Sequence, residues 1–186
     1  MIEKLKNVGI TFTNGLTSEE LTKIEEFYGF HFPKEIAEFL SIAYPVGLHF
    51  FNYRNMSSEN KKAFDDFQTD IKESFLFDIE QNEVSIKAML SEIIDKNLDS
   101  KALANAVLSM LDKSPRLIPF YAHRCFFDGM NNMPIVSFYQ AVDTIFYGTS
   151  FENYLENEFL HIDSFDNSET LSGKMKNTGI WHYIIN

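Results

Sequence analysis

The stretch that decides the fold is residues 117–148, LIPFYAHRCFFDGMNNMPIVSFYQAVDTIFYG. Within it, LIPFY, MPIVSFYQ and DTIFYG are short runs rich in Ile, Val, Phe and Tyr, separated by Gly, Asn, Asp and Pro. Such runs are typical of β-strands in a meander. Ala141, Val142 and Asp143 link the last two runs, and this link is short enough for a hairpin. The sequence therefore predicts a mostly antiparallel sheet in the C-terminal half of the chain.

The chain at the N-terminal side of this stretch is predicted to be helical. In LTSEELTKIEEFYGF (residues 16–30), Thr17 is placed to cap a helix, Glu20 to complete a capping box, and Gly29 to end the helix. Pro33 is typical of the first turn of a second helix, which we expect to end at Pro45. The two helices would form a pair joined by a tight turn.

A third amphipathic helix is predicted from Ser57, because Phe and Ile recur at helical spacing as far as Phe75. The run FLFDIEQ (residues 75–81) is either the end of that helix or a short strand. Three more helices are expected, at Ser85–Asn97, Ser100–Lys113 and Ser150–Phe159.

The C-terminal region is the hardest to interpret. Residues 161–179 are the most polar segment and the least clearly ordered, and GIWHYII (residues 179–185) could add a strand. Helices followed by strands predict an α+β fold, with N-terminal helices packed on a mostly antiparallel sheet formed largely by the C-terminal half. We expect a single domain spanning residues 1–186.

The composition is that of a folded, acidic protein. Of 186 residues, 45% are hydrophobic, and 16 Lys and Arg against 27 Asp and Glu give a net charge of −11. The apolar content excludes disorder for most of the chain. The charge argues against nucleic acid and anionic membranes as partners, because both are bound mainly through Lys and Arg. The charge either keeps the protein soluble or attracts a basic protein to the acidic helical faces, and we favour the second interpretation.

Cysteine usage and the N-terminal sequence predict a cytoplasmic protein. Cys125 is the only cysteine, so no disulfide can form within the chain. The start, MIEKLKNVGITFTNG, lacks the apolar run of a secretory signal. The apolar stretches are also shorter than the roughly 20 residues that a membrane span needs.

The sequence carries no motif of a catalytic, metal or cofactor site. GxGxxG, GxxxxGK[ST], HExxH and GxSxG do not occur, and the five histidines lack the spacing of metal ligands. These absences argue against the common nucleotide-binding and hydrolase functions, and we expect no cofactor and no metal. Cys125 and His123 could be a nucleophile and its base, or a buried thiol beside a structural histidine. We favour the buried thiol, because free Cys is among the most buried residue types.

Two pairs of polar residues are candidates for a binding site. Asp78 and Glu80 would share a face if they lie on a strand, as a carboxylate pair or as part of a solvated strand face or helix end. His123 and Arg124 follow the run LIPFYA and could anchor a partner. Alternatively, Arg124 could form a structural ion pair with Asp78, Glu80 or Asp143.

Several segments together resemble the SUKH superfamily, the group that includes the yeast cell-wall synthesis regulator of the Smi/Knr type. YGFHFPKEIAEFLSIAYPVG resembles the family's short helix, Pro-led second helix and turn. FFNYRN resembles an aromatic-Asn-Trp-Arg element, with Tyr53 where Trp is usual. Five further segments follow in the order of the family: FLFDIEQN, LIPFYAHR, PIVSFYQ, DTIFYG and ENYLENEF. The resemblance covers about residues 17 to 160, although a Trp-rich element of the family is absent.

The resemblance implies an α+β domain without catalytic residues, whose bacterial members are immunity proteins that bind and neutralise toxins, many of them nucleases. A cytoplasmic, acidic protein suits a basic toxin domain as its partner. One alternative is a regulatory or scaffold module like the fungal relative, and another is an enzyme that uses His123, Asp78 and Glu80. The residues that we expect to contact the partner are Tyr53, Arg54, Asp78, Glu80, His123, Arg124 and Asp143.

Overall fold

The fold is a mixed α+β arrangement with two antiparallel sheets. The computed structural model describes residues 1–162 and 168–185. The helices are α1 (Ile2–Asn7), α2 (Ser18–Tyr28), α3 (Lys34–Ile42), α4 (Ser58–Gln81), α5 (Glu83–Met89), α6 (Ser100–Leu111), α7 (Phe151–Leu160), α8 (Ser168–Met175) and α9 (Trp181–Ile184). The strands are β1 (Thr11–Asn14), β2 (Ala43–Val46), β3 (Leu117–Tyr121), β4 (Arg124–Phe127), β5 (Ile135–Gln140) and β6 (Asp143–Gly148). The predicted fold class is confirmed, and the larger sheet comes from the C-terminal half.

The larger sheet has the strand order β3–β4–β5–β6, and all its neighbouring strands are antiparallel. The predicted hairpin joins β5 to β6, with Gln140 opposite Asp143. Strand β4 adds to the three runs identified in the sequence. Ala122 adopts a left-handed conformation, with φ of 48°, in the turn that folds β4 back on β3.

This sheet is covered by helices on both faces, which explains why its strands are almost continuously apolar. Alternate residues of a strand face opposite sides. Ile118 and Phe126 therefore join a first core with α2, α3 and α7. Leu117 and Phe127 join a second core with α4, α6 and α9. The sheet thus separates two hydrophobic cores. Helix α4 contributes to both, because Phe64 near its start joins the first core and Phe75 joins the second.

The N-terminal helix pair follows the sequence prediction closely at its start. The Glu20 N–H donates to Thr17 Oγ1 at 3.1 Å and the Thr17 N–H donates to Glu20 Oε2 at 2.9 Å, which completes the capping box. Gly29 ends α2 with a φ of 72°. Helix α3 ends at Ile42, earlier than expected, because Ala43–Val46 pairs with β1 as a strand. Pro45 favours this extended backbone, since the residue before a proline avoids the helical region.

One of the two alternatives for the end of α4 is confirmed, and the end of α5 differs from the prediction. Helix α4 runs without a break to Gln81, so FLFDIEQ is the end of the helix and not a strand. Helix α5 covers Glu83–Met89 only, and residues 90–97 form turns where a helix as far as Asn97 was expected.

The C-terminal run GIWHYII forms the short helix α9 and not a strand. Ile180, Trp181 and Ile184 are buried at helical spacing in the second core, and the Trp181 Nε1–H donates to the Pro115 carbonyl at 2.8 Å. In the polar segment 161–179, α8 occupies Ser168–Met175, and residues 163–167 lie outside the described part of the chain. Across residues 1–162 and 168–185, no helix is long and apolar enough to cross a membrane.

Candidate functional site

Tyr53 lies in the first core and does not reach the surface. Its side chain is 2% exposed and packs against the rings of Tyr28, Phe32 and Phe51. The Tyr53 hydroxyl donates to the carbonyl of Pro119 in β3, and burial raises the pKa of this phenol well above its ordinary value. Tyr53 therefore ties the loop before α4 to the sheet, and a partner cannot touch it directly.

Arg54 fastens the N-terminal elements to one another. Its guanidinium donates to Glu20 Oε1 at 3.0 Å and to the carbonyls of Asn14 at 3.0 Å and Gly15 at 3.1 Å. It also lies over the ring of Tyr44, 4.7 Å from the centroid. These contacts join the β1–α2 loop, α2 and β2, so they account for Arg54 as a structural residue.

Replacing Arg54 by Lys is expected to lower the free energy of unfolding by about 1–2 kcal/mol, because an ammonium cannot reproduce a planar fork that serves several acceptors. Urea unfolding at neutral pH measures this loss. Replacing Lys23 by Arg gives the matched control, since Lys23 forms only an exposed pair with Glu19 and should change stability very little. An Arg54→Lys variant as stable as the parent would contradict the fastening role.

Asp78 is completely buried and holds the β5–β6 hairpin to α4. Its carboxylate accepts from the Val142 N–H at 3.0 Å, from Asn82 Nδ2 at 3.0 Å and from Gln140 Nε2. One turn earlier on α4, Ser74 Oγ accepts from the neighbouring Ala141 N–H at 2.8 Å. Asp78 is therefore a hairpin anchor and does not reach the surface.

Glu80 points away from Asp78 and is exposed. The two residues would share a face only on a strand. On a helix they are separated by about 200° around the axis, since each residue advances by roughly 100°. Of the two alternatives, the carboxylate pair is therefore wrong and the helix end is right, and Glu80 belongs to the outer face of α4.

Arg124 forms a structural ion pair, but with a different partner from the three considered. Its Nε donates to Glu158 Oε2 on α7 at 3.0 Å, and its Nη1 donates to Ser137 Oγ at 3.0 Å. The guanidinium lies 3.4 Å from the centroid of the Tyr147 ring. The Arg124 and Glu158 side chains are only 11% and 16% exposed. Arg124 thus connects β4 to α7.

His123 and Asp143 lie near Arg124 at one corner of the larger sheet. Burial is the larger cause that lowers the pKa of His123, and the positive charge of Arg124 is the smaller one. The negative charges of Glu158 and Asp143 act in the opposite direction. His123 is therefore neutral near pH 7. His123 and Asp143 are both exposed, and the His123 ring contacts Tyr139, which is 73% exposed.

The structure does not support a catalytic role for Cys125, or for His123 together with Asp78 and Glu80. Cys125 is fully buried, its Sγ is 3.7 Å from the His123 carbonyl oxygen, and burial raises the pKa of the thiol far above its ordinary value. This is the inert thiol that the sequence favoured. His123 forms no hydrogen bond or ion pair with Asp78 or Glu80 within the described residues, and the Asp78 carboxylate is occupied by the hairpin. No group of three or more His, Cys, Asp or Glu in residues 1–162 and 168–185 is arranged to hold a metal ion.

The outer face of α4 is one of the acidic helical faces that the sequence favours as a docking surface, but the sequence did not identify the residues that form it. Asp70, Glu73, Phe77 and Glu80 follow one another at spacings of three and four residues, so they form one stripe. Phe77 is 53% exposed and the adjacent Leu76 is 38% exposed. We call these five residues the acidic face of α4. Only Glu80 was a candidate from the sequence.

The buried residues of α4 show which side of the helix faces outward. Ile71, Phe75 and Ile79 point into the second core, which turns Phe77 outward by about 200° from Phe75. An outward-facing Phe among carboxylates is unusual, because large aromatic side chains are normally buried. Within the described parts of the chain, none of the three carboxylates of this face, those of Asp70, Glu73 and Glu80, forms an ion pair.

No protein-family model, no curated protein and no solved structure matches this chain. The likeness to the SUKH superfamily therefore rests on the sequence segments quoted above.

Proposed function

We propose that this protein is an immunity protein of a bacterial polymorphic toxin system, which binds and neutralises a basic toxin domain such as a nuclease. The observation that carries the proposal is the acidic face of α4, where Leu76 and Phe77 are exposed beside three carboxylates without ion-pair partners. The sequence resemblance to a family of immunity proteins supports the same function.

The chemistry of this face suits a basic protein. Aromatic side chains that enter a pocket of a partner carry much of the binding energy in protein interfaces. The carboxylates around Phe77 would form ion pairs with Lys and Arg of the partner. These ion pairs replace the hydrogen bonds with water that the carboxylates lose on binding. The net charge of −11 extends this attraction beyond contact distance and speeds the encounter.

The buried candidate residues support the binding surface indirectly. Asp78 keeps the hairpin against the inner side of α4, and Tyr53 fixes the loop before the helix. Neither needs to touch the toxin. The proposal therefore replaces a set of seven scattered contacts with one continuous face on a rigid helix of 24 residues.

Co-expression with the toxin encoded by the adjoining gene tests the function. We expect growth of the host to be restored and the two proteins to purify together. A triple variant of the acidic face, Asp70→Asn, Glu73→Gln and Glu80→Gln, should lose protection at expression levels at which the parent protects. The matched control removes the same charge from α1 and α2, through Glu3→Gln, Glu19→Gln and Glu26→Gln, and should still protect.

Absence of both protection and complex would refute the proposal. An adjoining gene that encodes no toxin, together with a stable complex between this protein and a cellular protein, would instead favour the regulatory or scaffold module.

A further inference from the structure

A second surface with distinct chemistry lies between α1, α3 and α7. These helices enclose an open groove of about 530 Å³, which is within the range of roughly 300–1,000 Å³ found for ligand sites. Its floor is apolar, because Phe39, Phe151 and Leu155 line it and are each less than 10% exposed. The rings of Phe39 and Phe151 pack edge to face, with centroids 5.2 Å apart. Ile42, at the edge of the groove, is 72% exposed.

Three glutamates line this groove, and no Lys, Arg or His among the described residues does so. One oxygen of Glu35 accepts from the Asn132 N–H at 2.7 Å, which leaves its second oxygen available. Glu38 has only a long, exposed pair with Lys34, at 3.7 Å. Glu152 forms no ion pair within the described parts of the chain. Met1 also lines the groove and carries a positive α-amino group, but the three carboxylates outnumber it. The groove therefore presents net negative charge above an apolar floor.

We infer that this groove is a docking site for a basic amphipathic segment of a partner protein. An apolar side chain of the segment packs against Phe39, Phe151 and Leu155, and Lys or Arg side chains on either side reach Glu35, Glu38 and Glu152. Lys and Arg suit this arrangement because their hydrocarbon stems cover apolar surface while their charged ends remain at the rim.

Charge complementarity selects this occupant over the others. An acidic segment would be repelled by three carboxylates. A wholly apolar segment would remove water from those carboxylates without replacing their hydrogen bonds. A second copy of this chain, with a net charge of −11, would bring further negative charge to the groove.

The inference goes beyond the proposed function and does not depend on it. Phe39 and Phe151 belong to the first core, whereas the acidic face of α4 lies outside the second core, across the larger sheet. The groove and that face are therefore separate surfaces, and the groove's partner need not be a toxin.

The test uses the full chain and a synthetic helical peptide with Leu on one face and Lys elsewhere. In a titration followed by amide NMR, we expect the largest shifts at Ile42, Asn132 and Glu152. The triple variant Glu35→Gln, Glu38→Gln and Glu152→Gln keeps the acceptor for the Asn132 N–H and should weaken binding about fivefold or more, a cautious value for three exposed charge pairs. The triple variant of the acidic face removes equal charge and should leave binding within about twofold.

A second variant tests the apolar contact. Ile42→Ser should also weaken the peptide, while Leu48→Ser, at a side chain that is 95% exposed and outside the groove, should not. Thermal unfolding of each variant confirms that it is folded.

The inference is overturned if the largest shifts fall on the acidic face of α4, or if both triple variants weaken the peptide equally. It is also overturned if no binding occurs, or if a peptide with Gln in place of Lys binds as tightly. Because the probe is not a toxin, failure of protection in co-expressing cells would refute the proposed function and leave this result unchanged.

Discussion

Replacing Asp78 by Ala is expected to lower the free energy of unfolding by about 3 kcal/mol. The change leaves the Val142 N–H and the Gln140 side-chain amide without their acceptor in a site that is completely buried. A buried donor that loses a charged acceptor costs about 1–3 kcal/mol, more than the deleted bond contributes on average. The hairpin would also detach from α4 before the rest of the protein unfolds, because Asp78 and Ser74 hold its turn.

Urea unfolding of Asp78→Ala, Asp78→Asn and Glu80→Ala separates the anchoring role from a general effect of removing charge. We expect Asp78→Asn to fall between the parent and Asp78→Ala, because one amide oxygen still accepts while its NH₂ group opposes another donor. Glu80→Ala should change stability by less than about 0.5 kcal/mol, since it is exposed and outside any network. Equal losses for Asp78→Ala and Glu80→Ala would show that the buried hydrogen bonds contribute nothing specific.

Local sequence signals predicted the elements that depend on neighbouring residues. The capping box of Thr17 and Glu20 needs only a four-residue segment, and the hairpin through residues 141–143 needs only two adjacent runs. Strand β2 depends on pairing with β1, about thirty residues earlier, and no local pattern encodes that partner. By its sequence GIWHYII could add a strand, and it instead forms α9, because an apolar run this short does not reveal whether its spacing is that of a strand or of a helix.

The prediction of the site residues was likewise limited to what neighbouring residues in the sequence can show. The spacing of Asp78 and Glu80 is visible in the sequence, but its meaning changes with the element, since a strand places them together and a helix places them apart. The partner of Arg124 is Glu158, 34 residues later on α7. A pattern of residues could suggest that Arg124 forms an ion pair, but only the packing of α7 on the sheet could identify its partner.

Under the proposed function, the Phe77→Ala variant is expected to bind its toxin partner about 30-fold more weakly. This factor corresponds to about 2 kcal/mol, the value typical of a central aromatic anchor. Stability should change by less than about 0.5 kcal/mol, because Phe77 lies outside the second core and is 53% exposed. Isothermal titration calorimetry and urea unfolding of the same preparation measure both quantities. Leu48→Ala is the matched control, since Leu48 is exposed and lies in the loop between β2 and α4.

The association and dissociation rates distinguish an aromatic anchor within the interface from a surface that only attracts the partner through its charge. Loss of a buried aromatic contact should raise the dissociation rate and leave the association rate nearly unchanged. Neutralising Asp70, Glu73 and Glu80 should instead lower the association rate and flatten its dependence on salt, because those carboxylates act before contact. If Phe77→Ala left both the association rate and the dissociation rate unchanged, Phe77 would lie outside the interface. The acidic face would then guide the toxin towards another surface of the protein.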